Sequence, residues 1–467
     1  MSESQPAVSD MPRPRASKKE IVGWAMFDFA NQAYTLLIIT VVFGELFTTV
    51  IVGDRGDGYR LANLLWSLAL ATSYLLVVIT GPLFGAVMDY QAAKKRFLFV
   101  SYLATVATTA MLYFVAPGYV LLGLALIVVS NYAYSMGESF IAAFLPDLGP
   151  PEDLGKISGF GWALGYVGGL FAAGFTLVVL GEATAENFER VRWVGPFAAG
   201  FFLITAIPTF LWVKERGMPQ PPGKPYRQIA IERVATTLHE LKRFRDLGLF
   251  LVSLLFSMAG VYIIIAFAFI YGAQVIGWDA ATRNIMFIVV QVTAAAGALG
   301  FGFLQDRIGT RVTYLFTLVL WVAAIVAIWA TPEVTTFLNA HLGLDWQAQH
   351  LFLVVGCLAG LSLGSSQSAS RALVGLFSPT RKAAEFFGFW GLANKLAGVI
   401  GIIGLGLLQS VVGLQASILL CAALFILAIV ICLGVDQARG QQAARDWEAR
   451  DREASAERTG SEAGLAQ

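Results

Sequence analysis

The sequence predicts an all-α integral membrane protein of twelve transmembrane helices, arranged as two pseudo-symmetric six-helix bundles. Three observations predict it. Of 467 residues, 57% are hydrophobic and 13% charged, whereas a soluble globular chain carries roughly 25% charged residues. Mean hydropathy is +0.69. Twelve apolar runs recur along the chain, each near the ~20 residues that a helix needs to cross hydrocarbon, where an open backbone finds no water to bond. Finally, the runs fall six and six about one polar break, and short motifs repeat between the halves. Forty-seven glycines and 34 phenylalanines fit this solvent, since glycine lets helices approach closely and phenylalanine faces lipid without cost.

Residues 1–20 read as a polar, disordered tail without the short apolar core or small-residue cleavage site of a secretory signal, so the first hydrophobic run is expected to stay. The N-terminal bundle occupies 21–213, with runs approximately at 24–52, 61–87, 97–116, 119–144, 157–180 and 193–213. A linker, 214–246, opens on a stiff proline-rich stretch. Ile229, Val234, Leu238 and Leu241 then recur at nearly helical spacing, with Arg233, Lys242, Arg243 and Arg245 on the polar side, which predicts an amphipathic helix on the inner membrane face that tethers the halves. The C-terminal bundle, 247–435, holds runs approximately at 247–276, 281–304, 312–330, 350–377, 385–409 and 414–435. The tail, 436–467, reads as a solvated or disordered segment without chemistry.

Basic residues orient the chain, because short cytoplasmic loops collect Lys and Arg. With the N-terminus inside, the N-tail, the linker and the inner loops hold twenty Lys and Arg, and the outer loops hold five, Arg55, Arg60, Arg190, Arg192 and Arg283. Both ends are therefore expected in the cytoplasm, and the protein in the inner (plasma) membrane if bacterial.

Charge and motifs exclude other classes. Thirty-two basic residues against 31 acidic ones leave a net charge of +1, with no surplus for nucleic acid. Cys357, Cys421 and Cys432 lie in apolar runs at no ligand spacing and read as buried thiols. His239, His341 and His350 form no HExxH, and no Gly-x-Ser-x-Gly, intramembrane carboxylate pair or phosphate-binding GxxxxGK[ST] loop occurs. Catalysis, a metal, a cofactor and ATP-driven transport by this chain are not expected. The lipid bilayer and a small-molecule substrate are the expected partners, protons are a candidate coupling ion, and a single copy is expected to suffice.

The repeat supplies the mechanics. After the second run stands Gly85-x-x-x-Asp89, followed by Lys94, Lys95 and Arg96; after the eighth stands Gly302-x-x-x-Asp306-Arg307-x-Gly309-x-Arg311. A second correspondence links Pro150, Lys156 and Gly159 to Pro379, Glu385 and Gly388 at a constant offset of 229. Shared sidedness makes this a parallel repeat about an axis along the membrane normal, the symmetry of a rocking transporter.

The Gly302–Arg311 turn resembles the most diagnostic signature of the major facilitator superfamily, and the Gly85–Asp89 turn its degenerate first copy, with Tyr90 where an arginine is usual. The resemblance covers about residues 21–435. Within it, Gly23-Trp24 through Asp28, Asn31 and Tyr34, the Pro146-Asp147 turn, Ser158 through Trp162, Tyr166 and Gly169, and Phe386 through Asn394 and Lys395 resemble the branch of the fungal autophagy-related vacuolar amino-acid effluxers and their bacterial relatives. The resemblance implies that the first and fourth spans line the central path. It also implies that Asp89 docks near the start of the eleventh span and Asp306 near the start of the fifth, closing the cytoplasmic side.

Ionisable side chains in a bilayer cost about 2.5–3.5 kcal/mol on insertion scales, so each requires a reason. Asp28, Asn31, Gln32 and Thr35 share one face of the first span, and Asn131, Tyr134, Ser135 and Glu138 form a similar polar stripe in the fourth. Lys395, ten residues into the eleventh run, lies near the midplane, and Asn394 precedes it. Arg371 ends a tenth span rich in Ser362, Ser365, Ser366 and Gln367. These are the substrate or proton candidates, with Tyr166, Trp162, Tyr262, Tyr271 and Gln274 as further possible cavity residues. Competing roles are a helix cap for Asp28, a Glu138–Arg371 gate, a buried ion pair for Lys395, interfacial places for Lys156 and Glu385, and packing for the aromatics. The function read from this pattern is secondary transport of a small polar solute, an amino acid above all, by alternating access with proton-coupled efflux. A sugar, drug or lipid-like solute, or a non-transporting sensor, is the alternative.

Overall fold

A computed structural model describes residues 15–56, 59–175, 179–180, 184–217, 219, 225–239, 243–343 and 345–465. They form helices and connecting turns, with no strand among them. Among the described residues, twelve segments are long and apolar enough to span a membrane: Lys18–Val52, Leu61–Gln91, Lys94–Phe114, Val120–Asp147, Pro151–Phe175, Phe188–Trp212, Arg245–Ile276, Ala281–Ile308, Thr310–Leu342, Ala348–Phe377, Thr380–Gln409 and Leu414–Leu433.

The packing of spans repeats between the halves. The first packs on the fifth and sixth, the second on the fourth, and the third on the fourth and sixth. Six spans on, the seventh packs on the eleventh and twelfth, the eighth on the tenth, and the ninth on the tenth and twelfth. Four further pairs join the bundles, the second with the eleventh and its equivalent, the eighth with the fifth, and the fourth with the eleventh and its equivalent, the tenth with the fifth. Glycine sets the closeness of these joins. A Cβ on Gly388 would stand 2.7 Å from the Gly81 carbonyl oxygen, and one on Gly159 would meet the Ala298 carbonyl.

The ends of the spans have local causes. Ser17 caps the first helix by accepting the Glu20 amide at 3.2 Å, and the Ala16 amide donates to the Leu148 carbonyl at 2.9 Å. Arg216 donates to the buried Glu20 carboxylate at 2.7 and 2.9 Å. Residues 15–20 are thus the ordered start of the first span rather than part of a disordered tail, because this cap and this ion pair hold them; positions 1–14 lie outside the described residues. Beyond Ala33 the first span continues as π-helical turns over Tyr34–Val41 and Phe47–Val52, the kind of irregularity that re-aims side chains.

The ninth span is longer than the apolar run at 312–330. It carries Pro332 inside it and ends at Gly343, φ 60°. Proline leaves the carbonyl four residues back without its helical donor, and here that carbonyl, Ile328, accepts from the Tyr271 hydroxyl at 3.2 Å.

The linker helix is Tyr226–His239, with Ile229 and Ala230 buried; Leu241 and Lys242 lie outside the described residues. It packs on the second span, and Arg233 lies 3.8 Å from Glu385 of the eleventh. The tail is likewise structured. Its helix, Gln437–Leu465, docks because its charges find partners. Arg439 donates twice to Asp246 at 2.7 Å, Glu448 accepts from the Thr380 amide at 2.7 Å and hydroxyl at 2.6 Å, and Asp451 pairs with Arg381 at 2.6 Å. Linker, tail and the intervening turns share one face of the molecule, the face bearing most of the basic residues.

Candidate functional site

The two acidic turns hold that basic face together. Asp306 accepts the Gly155 and Lys156 amides, each at 3.1 Å, with the Lys156 ammonium 3.5 Å away. Asp89 accepts the Ala384 and Glu385 amides at 3.1 and 2.9 Å. Each carboxylate therefore sits at a helix start in the opposite bundle, where free amides and the positive dipole end attract an anion. Glycine permits the approach: a Cβ on Gly85 would collide with the Ala384 carbonyl oxygen, and one on Gly302 would lie 3.2 Å from the Gly155 oxygen.

The remaining turn residues are braces. Lys94 donates to Asp147 at 2.9 Å and to the Ala143 carbonyl at 3.1 Å. Lys95 donates to the Val213 carbonyl at 2.9 Å, and the Lys94 and Lys95 amides both donate to Glu215. Glu215 is exposed as a whole, and partial desolvation of its carboxyl pushes it upward against the downward pull of those amides and of Lys94. Gly309 takes φ 93° and Ala92, at the matching place three residues after its Asp, φ 48°. Arg311 donates to the Cys432 and Leu433 carbonyls at 3.3 and 2.9 Å, whereas Arg96 and Arg307 are exposed. Lys156 and Glu385 both stand at helix starts but are not alike: Lys156 is half-buried and Glu385 fully buried.

Deeper in, two cations of the C-terminal bundle plug into carboxylates of the N-terminal bundle. Arg371 donates to Asp28 at 2.7 Å and to the Ser158 hydroxyl and carbonyl at 3.2 and 3.0 Å. Its guanidinium lies between the Trp24 and Trp162 rings, 4.6 and 5.1 Å from their centroids, an arrangement suited to a planar cation. Lys395 donates to Glu138 at 2.9 Å and lies 5.3 Å from the Tyr74 ring centroid and 5.9 Å from that of Tyr134. Arg371 stands six residues from the end of its helix at Phe377, roughly 9 Å deep; Lys395 stands twelve residues past Ala383, roughly 18 Å deep. The Glu138–Arg371 gate is therefore replaced by two separate pairs, and Asp28, inside the helix Lys18–Ala33, is not a cap. The reason is rotational: Arg371 faces the first and fifth spans, and Lys395 faces the second and fourth.

A polar cavity of about 50 Å³ opens beside the second pair, lined by residues of both bundles, among them Ser135, Glu138, Trp162, Tyr262, Gln367, Trp390, Asn394 and Lys395. Tyr166 donates to Gln367 across the bundles at 2.6 Å. Tyr134 accepts from Thr35 at 2.6 Å and donates to Glu138 at 2.8 Å, which orients that carboxylate. Asn394 donates to the Trp390 carbonyl of its own helix at 2.8 Å.

Other candidates point elsewhere. Asn131 donates to Ser73 at 2.5 Å, tying the fourth span to the second. Asn31 is buried on the helix of Asp28, and Gln32 packs against Gly165. Ser362 and Ser365 bond back to carbonyls of their own helix, while Ser366 accepts from the Trp321 indole at 3.1 Å. Tyr271 is spent on the proline-freed carbonyl, and Gln274 is exposed. Trp24, Ser158 and Trp390 were visible in the motifs but carried no sign of their roles; only the tertiary contacts with Arg371 and the cavity single them out.

The family model for "Vacuole effluxer Atg22 like" proteins matches residues 61–445. The chain belongs to this family. Among its relatives, the "Uncharacterized MFS-type transporter YxiO" of Bacillus subtilis is 28% identical over 424 residues, covering 89% of this chain and 93% of that protein. The "Autophagy-related protein 22-1" of Aspergillus niger is 23% identical over 302 residues, 62% of this chain and 48% of that one, so this Atg22-like chain spans about half the length of the fungal relative. Solved structures share the fold. The human organic anion transporter MFSD10 superposes with a TM-score of 0.68 at 14% identity, over 89% of this chain and 99% of its own. The proton:xylose symporter XylE gives 0.67 at 14% identity, over 91% and 97%. The Atg22-like chain is thus a multi-pass membrane transporter of the major facilitator superfamily and not an enzyme.

Proposed function

We propose that this transporter moves an amino acid by alternating access, as a monomer in the inner membrane of a bacterial cell, with the basic face and both termini in the cytoplasm. One observation carries the reading: Arg371 and Lys395 of one bundle each rest on a carboxylate of the other, and the Lys395–Glu138 pair lines a cavity to which both bundles contribute. A zwitterion suits such a site. Its carboxylate takes the place of Glu138 or Asp28 before a cation, and its ammonium takes the place of the cation before a carboxylate, so no net charge is added at membrane depth. The inter-bundle pairs named above lie between the basic face and the midplane, and in this conformation they close the cytoplasmic side.

Opening inward withdraws Arg371 and Lys395 from their carboxylates. A carboxylate left in apolar surroundings is favoured to take a proton, which supplies proton coupling. Counterflow in proteoliposomes over amino acids, sugars and drugs tests the reading. Amino-acid exchange that is lost in Lys395→Ala and Glu138→Gln is expected; exchange intact in both variants, or confined to sugars or drugs, sinks it.

A further inference from the structure

Buried polar atoms in a protein are almost always bonded, so those that are not call for an account. Three of them converge on the cavity. The Trp162 indole nitrogen, the Trp390 indole nitrogen and the Ser135 hydroxyl have no hydrogen-bond partner among the described residues, and all three residues line it. Trp390 is 8% exposed and Ser135 1%, so neither reaches bulk water. They also come from different elements: Ser135 from the fourth span, Trp162 from the fifth and Trp390 from the eleventh.

The chemistry of the set is one-sided. An indole nitrogen only donates, and a hydroxyl donates as readily as it accepts. Their complement is therefore a ligand group with several acceptor lone pairs. Lys395 lines the same cavity, where its ammonium donates to one Glu138 oxygen and has the Tyr262 hydroxyl beside it. Glu138 also lines the cavity but already accepts from Lys395 and Tyr134, so the unbonded groups left for a ligand are donors beside a cation; they suit an anion, and the cavity, about 50 Å³, admits only a compact one.

We infer that Trp162, Trp390 and Ser135 are the carboxylate-binding donors of the transport site, holding the carboxylate of a small organic acid or amino acid beside Lys395. The inference deepens the amino-acid reading and rests on the same cavity, but it fixes which end of the substrate faces which residues. The carboxylate lies toward Lys395 and the indoles, and any ammonium group lies toward Glu138. Because the donors come from both bundles, a carboxylate seated among them binds the halves together, and its departure frees them to rock.

Calorimetric binding to the purified full chain tests this, with the twenty L-amino acids, acetate, propionate and lactate as probes, and with the carboxamide and the decarboxylated amine of whichever amino acid binds best. Wild type is expected to bind carboxylates and to reject the amide and the amine. Trp390→Phe and Trp162→Phe, which keep a ring but lose the N–H, are each expected to weaken carboxylate binding about tenfold or more, and Trp390→His, which restores a donor, to recover part of it. Ser135→Ala gives an independent reading should a tryptophan variant fail to fold. Monocarboxylates binding in place of amino acids would uphold the carboxylate donors while overturning the amino-acid reading. Carboxylate binding unchanged in the Phe and Ala variants, amides and amines bound as well as carboxylates, or no carboxylate bound at all, would overturn the inference.

Discussion

The Lys395 ammonium lies 2.9 Å from the Glu138 carboxylate, bridging the eleventh span of one bundle to the fourth span of the other. Removing one partner of such a buried pair strands the other, typically at about 3–5 kcal/mol, whereas replacing both costs far less. Lys395→Ala and Glu138→Gln are each expected to lower the thermal midpoint of the detergent-solubilised protein, and Lys395→Met with Glu138→Gln to regain most of it. A double variant no more stable than either single one would contradict the pairing.

Asp89 and Asp306 each tie one bundle to the other on the basic face, but with different reinforcement. Asp306 has Lys156 beside it, while Asp89 neighbours the buried Glu385 and draws nearby positive charge from Lys94 first and from the linker's Arg233 second. Asp89→Ala and Asp306→Ala should both increase labelling of cysteines placed along the closed path. Arg233→Ala should reproduce the effect of Asp89→Ala in milder form. Labelling at wild-type rates in all three would show that these contacts do not hold the gate.

Ala92 carries φ 48° where the second copy of the turn has Gly309. A Cβ in the left-handed region costs roughly 1–2 kcal/mol, and glycine escapes it. Ala92→Gly is expected to stabilise the protein by up to about 1 kcal/mol once the greater freedom of unfolded glycine is subtracted. The thermal midpoint measures this, and a lower midpoint would contradict it.

The tail helix caps the eleventh span from outside through Glu448 and Thr380, and clamps the seventh through Arg439 and Asp246. Deleting the chain after Val435 should therefore speed hydrogen exchange at residues 380–386, beside Asp89's docking site. Glu448→Ala should do so more weakly, and unchanged exchange in both would show that the tail is bystander structure.

Glu215 gives a pH signature. Its folded pKa is raised above the unfolded value by partial desolvation of the carboxyl, so the native state holds the proton more tightly, and the resulting stability is present below the unfolded pKa and lost as pH rises through the folded one. Thermal midpoints of wild type and Glu215→Gln should diverge across that window, with wild type losing ground as pH rises from about 4.3. Parallel curves would show that Glu215 does not titrate in this way.

Much of this protein is written in local pattern. Lipid has no hydrogen-bond partners for a backbone, so run length alone marks the twelve spans, and the recurrence of Gly85–Asp89 at Gly302–Asp306 exposes the duplication. A carboxylate at a turn needs only a helix start opposite it, which is why the places of Asp89 and Asp306 could be expected from the motif.

The pairing of buried charges is another matter. Spacing places Asp28 and Glu138 on helical faces, but which cation each meets depends on how the tenth and eleventh spans are rotated against the other bundle, and that is settled by glycine contacts such as Gly388 on Gly81. The same holds for the tail, whose polar sequence resembles a solvated helix until Asp246, Thr380 and Arg381 are brought beneath it. The sequence by itself determined the solvent, the span count and the twofold repeat, because these follow from composition and short-range order. Only the tertiary structure decided the ion partners, the cavity and its unbonded indoles, because those depend on contacts between residues as much as 343 positions apart.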